Sequence, residues 1–283
     1  MKKLLVGSVF INDSPIQEKW LDLQLKYLKA TTEDFDHVVV LSQGKTSDNF
    51  SNKTNVLTPT EPQFGESEEH FNGLNLLHNY FIERKNDYEN FLFLDADAFP
   101  FKNNWMQCLL MKMKESPRTC QNTGMVLGVK AKWKNYDIAA ALRCENLEKR
   151  LHASILFVKS YALQNFVFKL GIVGNDLTGN SECDIYIENY QNEMRDLALP
   201  LIRTNKTNVN HLACGIYFDM FYHHACGSGR TFNLRAADFY MKDIMLPLQN
   251  VSLFTDQLMQ NPNQFIKNLA GWNPRQYAVI DVD

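Results

Sequence analysis

Asp95-Ala96-Asp97 is the segment of this 283-residue chain whose chemistry is most legible. The two acids follow the apolar run Phe91-Leu92-Phe93-Leu94 and precede Ala98-Phe99-Pro100-Phe101. In extended backbone, residues two apart share a face. Carboxylates that close raise each other's pKa unless a cation lies between them. Hard oxygen donors suit Mg²⁺ or Mn²⁺, above all where phosphate oxygens complete the shell. A surface turn with two solvated acids is the plainer reading, and the apolar segments on both sides count against it.

A second chemical segment is Phe221-Tyr222-His223-His224-Ala225-Cys226-Gly227-Ser228-Gly229-Arg230. Imidazole is a common metal ligand. Gly-Ser-Gly lets backbone N–H groups approach a phosphate, and Arg230 can pair with phosphate oxygens bidentately. Gly227, Ser228 and Arg230 are therefore candidate phosphate contacts. Extended backbone sends His223 and His224 to opposite sides. One of them is expected to ligate; both remain candidates, with His224 slightly favoured. The glycines also predict a hinge, with residues 222–230 closing over a bound diphosphate. A third segment is Asn180-Ser181-Glu182-Cys183-Asp184. Read alone, an acid there is a helix cap.

The elements that must position these residues follow from periodicity. Residues 3–11 read as a buried strand. Ser14 is placed to cap a helix, with Pro15 at its first position and Gln17 closing a capping box. Ile16, Trp20, Leu21, Leu25 and Leu28 give that helix its apolar stripe. Residues 37–41 predict a strand, and 42–66 a long polar loop with at most one short strand near Val56-Leu57. Ser67 is placed to cap a second helix carrying Phe71, Leu74, Leu77 and Phe81. Strands are expected at 91–94, 125–129 and 155–158, and a helix at about 184–197. Strand–helix alternation argues an α/β fold with a single mostly parallel central sheet flanked by helices. The main domain is read over 1–230, with 231–283 as a helical C-terminal extension packed on it. His70 and His78 read as half-buried polar residues. Trp105, Trp133 and Trp272 read as core ahead of sugar platforms.

Helix, apolar strand and Asp95-Ala96-Asp97, about 100 residues after a β–α–β start, resemble the glycosyltransferases of the A-type (GT-A) fold. These enzymes use nucleotide-sugar donors. The resemblance covers roughly 1–230 by order of elements. It implies that Asp95 and Asp97 contact a divalent metal, Mn²⁺ or Mg²⁺, with Ala96 in the same donor site, and that the metal bridges the donor diphosphate. It implies a late histidine on that metal, His223 or His224. It places Phe10 where the family holds the nucleotide base, although Phe10 reads equally as core. His152-Ala153-Ser154 resembles the segment touching donor sugar or acceptor. In inverting members an acid in the region of Asp184 or Glu182 deprotonates the acceptor hydroxyl, and Asp184 is preferred. The implied enzyme is a hexosyl- or pentosyltransferase with a UDP-sugar donor and a glycan, protein or small-molecule acceptor, modified DNA being less favoured.

Composition narrows the rest. Hydrophobic residues are 45% and the net charge is −3, values of a globular chain that require no nucleic-acid or membrane partner. Residues 61–97 hold nine acids against two bases, and 102–150 ten bases against four acids. Solvated helix faces are the plain account of this, a basic wall for an anionic ligand the sharper one. No two of the six cysteines are spaced C-x-x-C, so they read as reduced thiols of a cytoplasmic protein. No apolar run approaches a membrane span. A nucleotidyltransferase or another Mg/Mn-dependent phosphate-handling enzyme is the alternative, weakened by the absence of a Gly-rich basic loop after the first strand. A dehalogenase-type phosphatase is disfavoured by Phe99 and the late motif, and a non-catalytic binding module by the intact acid pair.

Overall fold

The computed structural model describes residues 1–12, 14–43, 48–59, 66–115, 136–145, 148–171, 182–186, 198–202, 204–205, 214–224 and 251–269. In chain order the first elements are β1 (Lys2–Phe10), α1 (Pro15–Thr31), β2 (Phe35–Leu41), α2 (Asp48–Ser51), β3 (Asn55–Leu57), α3 (Glu66–Glu83) and β4 (Tyr88–Asp95). Then come β5 (Ala98–Pro100), α4 (Trp105–Glu115), β6 (Ile138–Glu145), β7 (Glu148–Lys159), β8 (Val167–Gly171) and β9 (Glu182–Tyr186). The described chain closes with β10 (Ala198–Leu201), β11 (Cys214–Tyr217), β12 (Phe221–His224), α5 (Val251–Gln260) and α6 (Pro262–Leu269).

The fold is α/β with a mainly parallel central sheet, ordered β10-β6-β7-β4-β1-β2-β3. β3, β2, β1 and β4 run parallel, and so do β10 and β6. β7 alone opposes the others along that path, antiparallel to both β4 and β6. Strands covered on both faces need apolar residues at every position. β1 supplies them from Leu4 to Phe10 with Ser8 as the one polar exception, and so does β4 from Phe91 to Leu94. Alternation along β4 sends Phe91 and Phe93 into one core with Leu74, Leu77 and Phe81 of α3. Leu92 and Leu94 enter another with Trp105, Leu109 and Met113 of α4. A third core lies between α1, the end of β2 and the C-terminal helices, where Trp20, Leu41, Leu258 and Ile266 are buried together. Trp105 belongs to the core: it is fully buried and its indole N–H donates to Thr32 at 2.9 Å.

A small second sheet, ordered β11-β12-β5, accompanies the main one. It has no counterpart in the periodicity reading, because its strands are only three or four residues long. Other local expectations need correction. Ser14 makes no side-chain capping bond, and Gln17 is turned inward and buried. Asn12 does the work instead, its side-chain oxygen accepting the Ser14 N–H at 3.1 Å. α3 begins at Glu66, one residue ahead of the expected cap at Ser67. The helix expected from about 184 is a strand where it is described. β9 pairs with β8 over five residues and meets β7 at His152↔Asp184, so strand pairing sets the conformation of 184–186. Residues 187–197 and the strand expected at 125–129 lie outside the described residues, as do Trp133 and Trp272. The strand expected at 155–158 is the end of the longer β7.

Two glycines let α3 lie close on β1. A Cβ at Gly7 would stand 2.5 Å from Leu77 Cδ1 and 2.6 Å from Phe81 Cζ. One at Gly73 would stand 2.5 Å from Val9 Cγ1, on a β-branched side chain with little freedom to turn aside. Gly73→Ala would gain about 1 kcal/mol of helix propensity in an open helix. Overpacking at such a contact costs about 1–3 kcal/mol. Both Gly7→Ala and Gly73→Ala are expected to lower the urea midpoint at unchanged slope. A raised midpoint for Gly73→Ala would show that the helix does not need this close approach.

Candidate metal centre

Asp95 closes β4, paired in register with Val9 of β1. It has the parity of Phe91 and Phe93, whose rings pack on Phe81 with centroids 4.9 and 4.6 Å away. Asp95 thus leaves the sheet on the α3 side. There His70 continues the helical stripe of Leu74, Leu77 and Phe81 by one turn, and its Nε2 lies 3.1 Å from Asp95 Oδ1. After a two-residue turn, Ala98 opens β5, which pairs antiparallel with β12. The register is Ala98↔His223 and Phe99↔Tyr222, and the His224 N–H donates to Asp97 O at 3.0 Å. This pairing brings His223, more than a hundred residues later in sequence, onto the acids. Its Nε2 stands 3.3 Å from Asp95 Oδ2 and 3.4 Å from Asp97 Oδ1. One ligand atom from each of Asp95, Asp97 and His223 lies within 4.8 Å of the other two.

The turn carrying the acids is held from α1. The Gln24 side-chain amide is buried and donates to Asp95 O at 3.0 Å and to Ala98 O at 2.7 Å. Its oxygen accepts from the Ser8 hydroxyl at 2.8 Å and from His37 Nε2 at 3.1 Å. His37 Nδ1 lies 2.8 Å from the Thr54 hydroxyl, which donates to His37 O at 2.9 Å. A polar chain from β1, β2 and α1 therefore ends on the two carbonyls that bracket Asp95-Ala96-Asp97.

The electrostatics follow from this packing. Burial would raise the Asp95 carboxyl, but hydrogen bonds from His223 and His70 and their charge outweigh it and hold it well below the usual carboxylate range. Burial would lower His223, but the Asp97 charge and hydrogen bonds to both acids raise it to about 10. A positive charge between two carboxylates is what this site demands, and the protonated ring supplies it. Two carboxylates and one imidazole are also a donor set for Mn²⁺ or a similar divalent ion, so the residues fit such a metal.

The expectation leaning to His224 is corrected by strand parity. His224 is fully buried on the opposite side of β12, with Nδ1 2.6 Å from the Tyr222 hydroxyl and Nε2 3.0 Å from Thr255 Oγ1. Its ring packs on Trp20 at 5.1 Å. Phe10 is fully buried against Phe50 at 5.4 Å, so its ring has no open face for a nucleotide base. Glu182 and Asp184 lie in β9, and backbone pairing sets Asp184 opposite His152. Gly227, Ser228 and Arg230 lie outside the described residues; of the segment expected to close, 222–224 belong to β12. His78 is a satisfied core histidine, donating to Leu163 O at 2.8 Å and stacking on Phe166. Gln24 escaped the sequence reading; His70 is the half-buried polar residue expected, but its contact with Asp95 was missed. The signal for His70 was its place four residues before Leu74 on the core-facing stripe, at the helix end nearest the acids. Gln24 offered only a polar residue on the buried side of α1.

Two predictions come from this site. Gln24→Leu leaves two carbonyls without a donor, at about 1–3 kcal/mol for each buried group left unpaired. Gln24→Glu sets a carboxylate against those carbonyls and is expected to unfold at lower urea than Gln24→Leu; the reverse order would remove the clamp. The second concerns pH in chelator. His223, raised from 6.5 to about 10, adds stability that is complete below pH 6.5 and lost as pH rises through 10. His224, which burial pushes from 6.5 down to about 4 against the Asp97 charge, adds stability present above pH 6.5 and lost as pH falls through 4. Urea midpoints from pH 4 to 10 are expected to lose their alkaline fall in His223→Gln, relative to the parent. An unchanged alkaline limb would show that His223 is not held protonated between the acids.

No protein-family model matches the sequence, and no curated protein sequence matches it. Solved structures that match part of the chain include a glycosyltransferase involved in glycosylation of the major capsid of PBCV-1. It is 16% identical over 57% of this chain and 62% of its own, with a TM-score of 0.32. Staphylococcus aureus TarS 1–349 in complex with UDP is 15% identical over 57% of this chain and 48% of its own, TM-score 0.34. The apo form of glycosyltransferase GlyE from Streptococcus pneumoniae is 13% identical over 57% of this chain and 35% of its own, TM-score 0.32. The alignment thus spans less than two thirds of the length of each of these three proteins. Likeness at this level carries no inference about activity.

Proposed function

We propose that this protein is a metal-dependent glycosyltransferase that moves a sugar from a nucleotide-diphosphate sugar, a UDP-sugar first, to a hydroxyl of a glycan or other acceptor. One observation carries the reading: Asp95, Asp97 and His223 converge at the carboxyl end of a central parallel strand, where α/β sheets bind their ligands. Asp95, Asp97 and His223 would hold a divalent ion there, and such an ion would supply positive charge to a diphosphate leaving group. The protein's own part is to fix the acids. β4 and the Gln24 clamp set their backbone, β5–β12 pairing sets His223, and the low dielectric around them strengthens each contact.

Asp184, with Glu182 as second choice, is the proposed base for an inverting reaction. Support comes from register. β7 runs against β4 with Leu94↔Ile155, so His152 lies beyond the carboxyl end of β4. Asp184 pairs with His152, which puts β9 at the same end of the sheet as the metal-site acids. A carboxylate base in reach of the acceptor hydroxyl contributes about 10²–10⁴ in rate. Gly227, Ser228 and Arg230 follow β12 in sequence and are proposed to meet the diphosphate.

A panel of nucleotide-sugars, scored by melting shifts with and without Mn²⁺, tests the reading. The matching donor binds the native state alone, and at 100 times its Kd adds about 2.7 kcal/mol. The shift is expected to need Mn²⁺ and to vanish in Asp97→Asn together with sugar transfer. Near-normal turnover in Asp97→Asn, or full activity in chelator, would end the metal-dependent reading. No transfer from any nucleotide-sugar, with pyrophosphate released instead from a nucleoside triphosphate and a sugar phosphate, would make the protein a nucleotidyltransferase.

A further inference from the structure

Asp95 has two oxygens with different neighbours. Oδ2 faces His223, within the three-residue cluster. Oδ1 faces His70, whose Nε2 stands 3.1 Å away and which does not belong to that cluster. We propose that His70 is a positioning residue of the metal centre: its Nε2–H donates to Asp95 Oδ1 and turns Oδ2 toward the ion. This rests on the metal-dependent reading given above.

Three features support the assignment. A carboxylate with one oxygen taken by a donor presents the other to a cation, and such outer-shell partners set ligand orientation and basicity. The donor sits on a rigid element, because Gly73, three residues along α3, lets the helix press on Val9, the register partner of Asp95. The backbone side of Asp95 is already fixed by Gln24, so the carboxylate torsion is the remaining freedom, and His70 restrains it from the oxygen that does not face His223. The His70 side chain is 30% exposed, so its imidazole adds little to core packing and its replacement by a smaller residue is compatible with folding.

The test uses Mn²⁺ alone, by calorimetric titration, on the full chain and on His70→Ala, His70→Gln and Asp97→Asn, with melting in chelator as a folding control. His70→Ala is expected to weaken Mn²⁺ by about 10–100-fold, the range for lost outer-shell partners. His70→Gln, which keeps an N–H donor, is expected to recover most of that loss. The visible spectrum of bound Co²⁺ is expected to match the parent's in His70→Ala, because no ligand is removed. Mn²⁺ affinity within twofold of the parent in His70→Ala, or no recovery in His70→Gln, overturns the proposal. A changed Co²⁺ spectrum also overturns it and makes His70 a direct ligand. If Asp97→Asn binds Mn²⁺ like the parent, the metal reading itself fails; if only Asp97→Asn is weakened, the metal site stands and the role of His70 falls.

Discussion

The Gln24 side-chain amide is the interaction on which the rest of the site depends. The chain leaves the main sheet at Asp95 and enters the small sheet at Ala98, and both carbonyls are spoken for by one NH₂ group from α1. A turn between two sheets has no ladder to satisfy such carbonyls, and a buried unpaired carbonyl is costly. An aliphatic side chain at position 24 could fill the space but not meet that demand. Serine and histidine on the amide oxygen then leave it one workable orientation, since two hydroxyl or imidazole donors face one end and two carbonyl acceptors the other. The acids are aimed by backbone geometry before any ligand arrives.

Charge balance explains the company the acids keep. Two carboxylates this close, one buried and one half-buried, are unfavourable alone. The fold answers with imidazoles delivered from opposite directions, His223 by strand pairing and His70 by a helix pressed onto β1 through two glycines. His223 spans both acids, whereas His70 touches only the outer oxygen of one. That asymmetry separates a ring that sits among ligands from a ring that steers one.

How much of this was legible depended on range. β1, α1, β4 and the acid pair were visible because their signals are local: unbroken apolar runs, a 3.6-residue stripe, two acids after a strand. The capping box failed locally too, since Asn12 rather than Gln17 answers the Ser14 N–H, a choice between two equally plausible short-range partners. The small sheet, the Gln24 clamp and the contact of His70 with Asp95 were not legible, because each takes meaning from a partner 25 or more residues away. Alternation said that His223 and His224 point apart, and that was right. It could not say which side held the acids, because that is a property of the β5 register. The start of the helix expected at about 184 was misread for a related reason: residues 184–186 end β9 because they pair with β8, a partner that local spacing does not reveal.

The two neighbouring histidines divide their work along the same strand. His223 faces anions and gains a proton by it; His224 faces Trp20, a tyrosine and a threonine, and burial drives its proton off. The threonine is on α5, and α6 is tied to α1 by the Tyr27 hydroxyl donating to Asn263 at 2.6 Å. Phe265 meets Tyr222 edge-on at 6.3 Å. The C-terminal helices thus pack on the reverse side of the strand that presents His223. Four-residue strands have little intrinsic stability and need support from a packed face. A strand this short can hold a ring to within hydrogen-bond tolerance of two acids because its other face is filled by aromatic rings and a satisfied, uncharged histidine. The face of β12 that carries His223 can serve the site because the face that carries Tyr222 and His224 is secured by residues far along the chain.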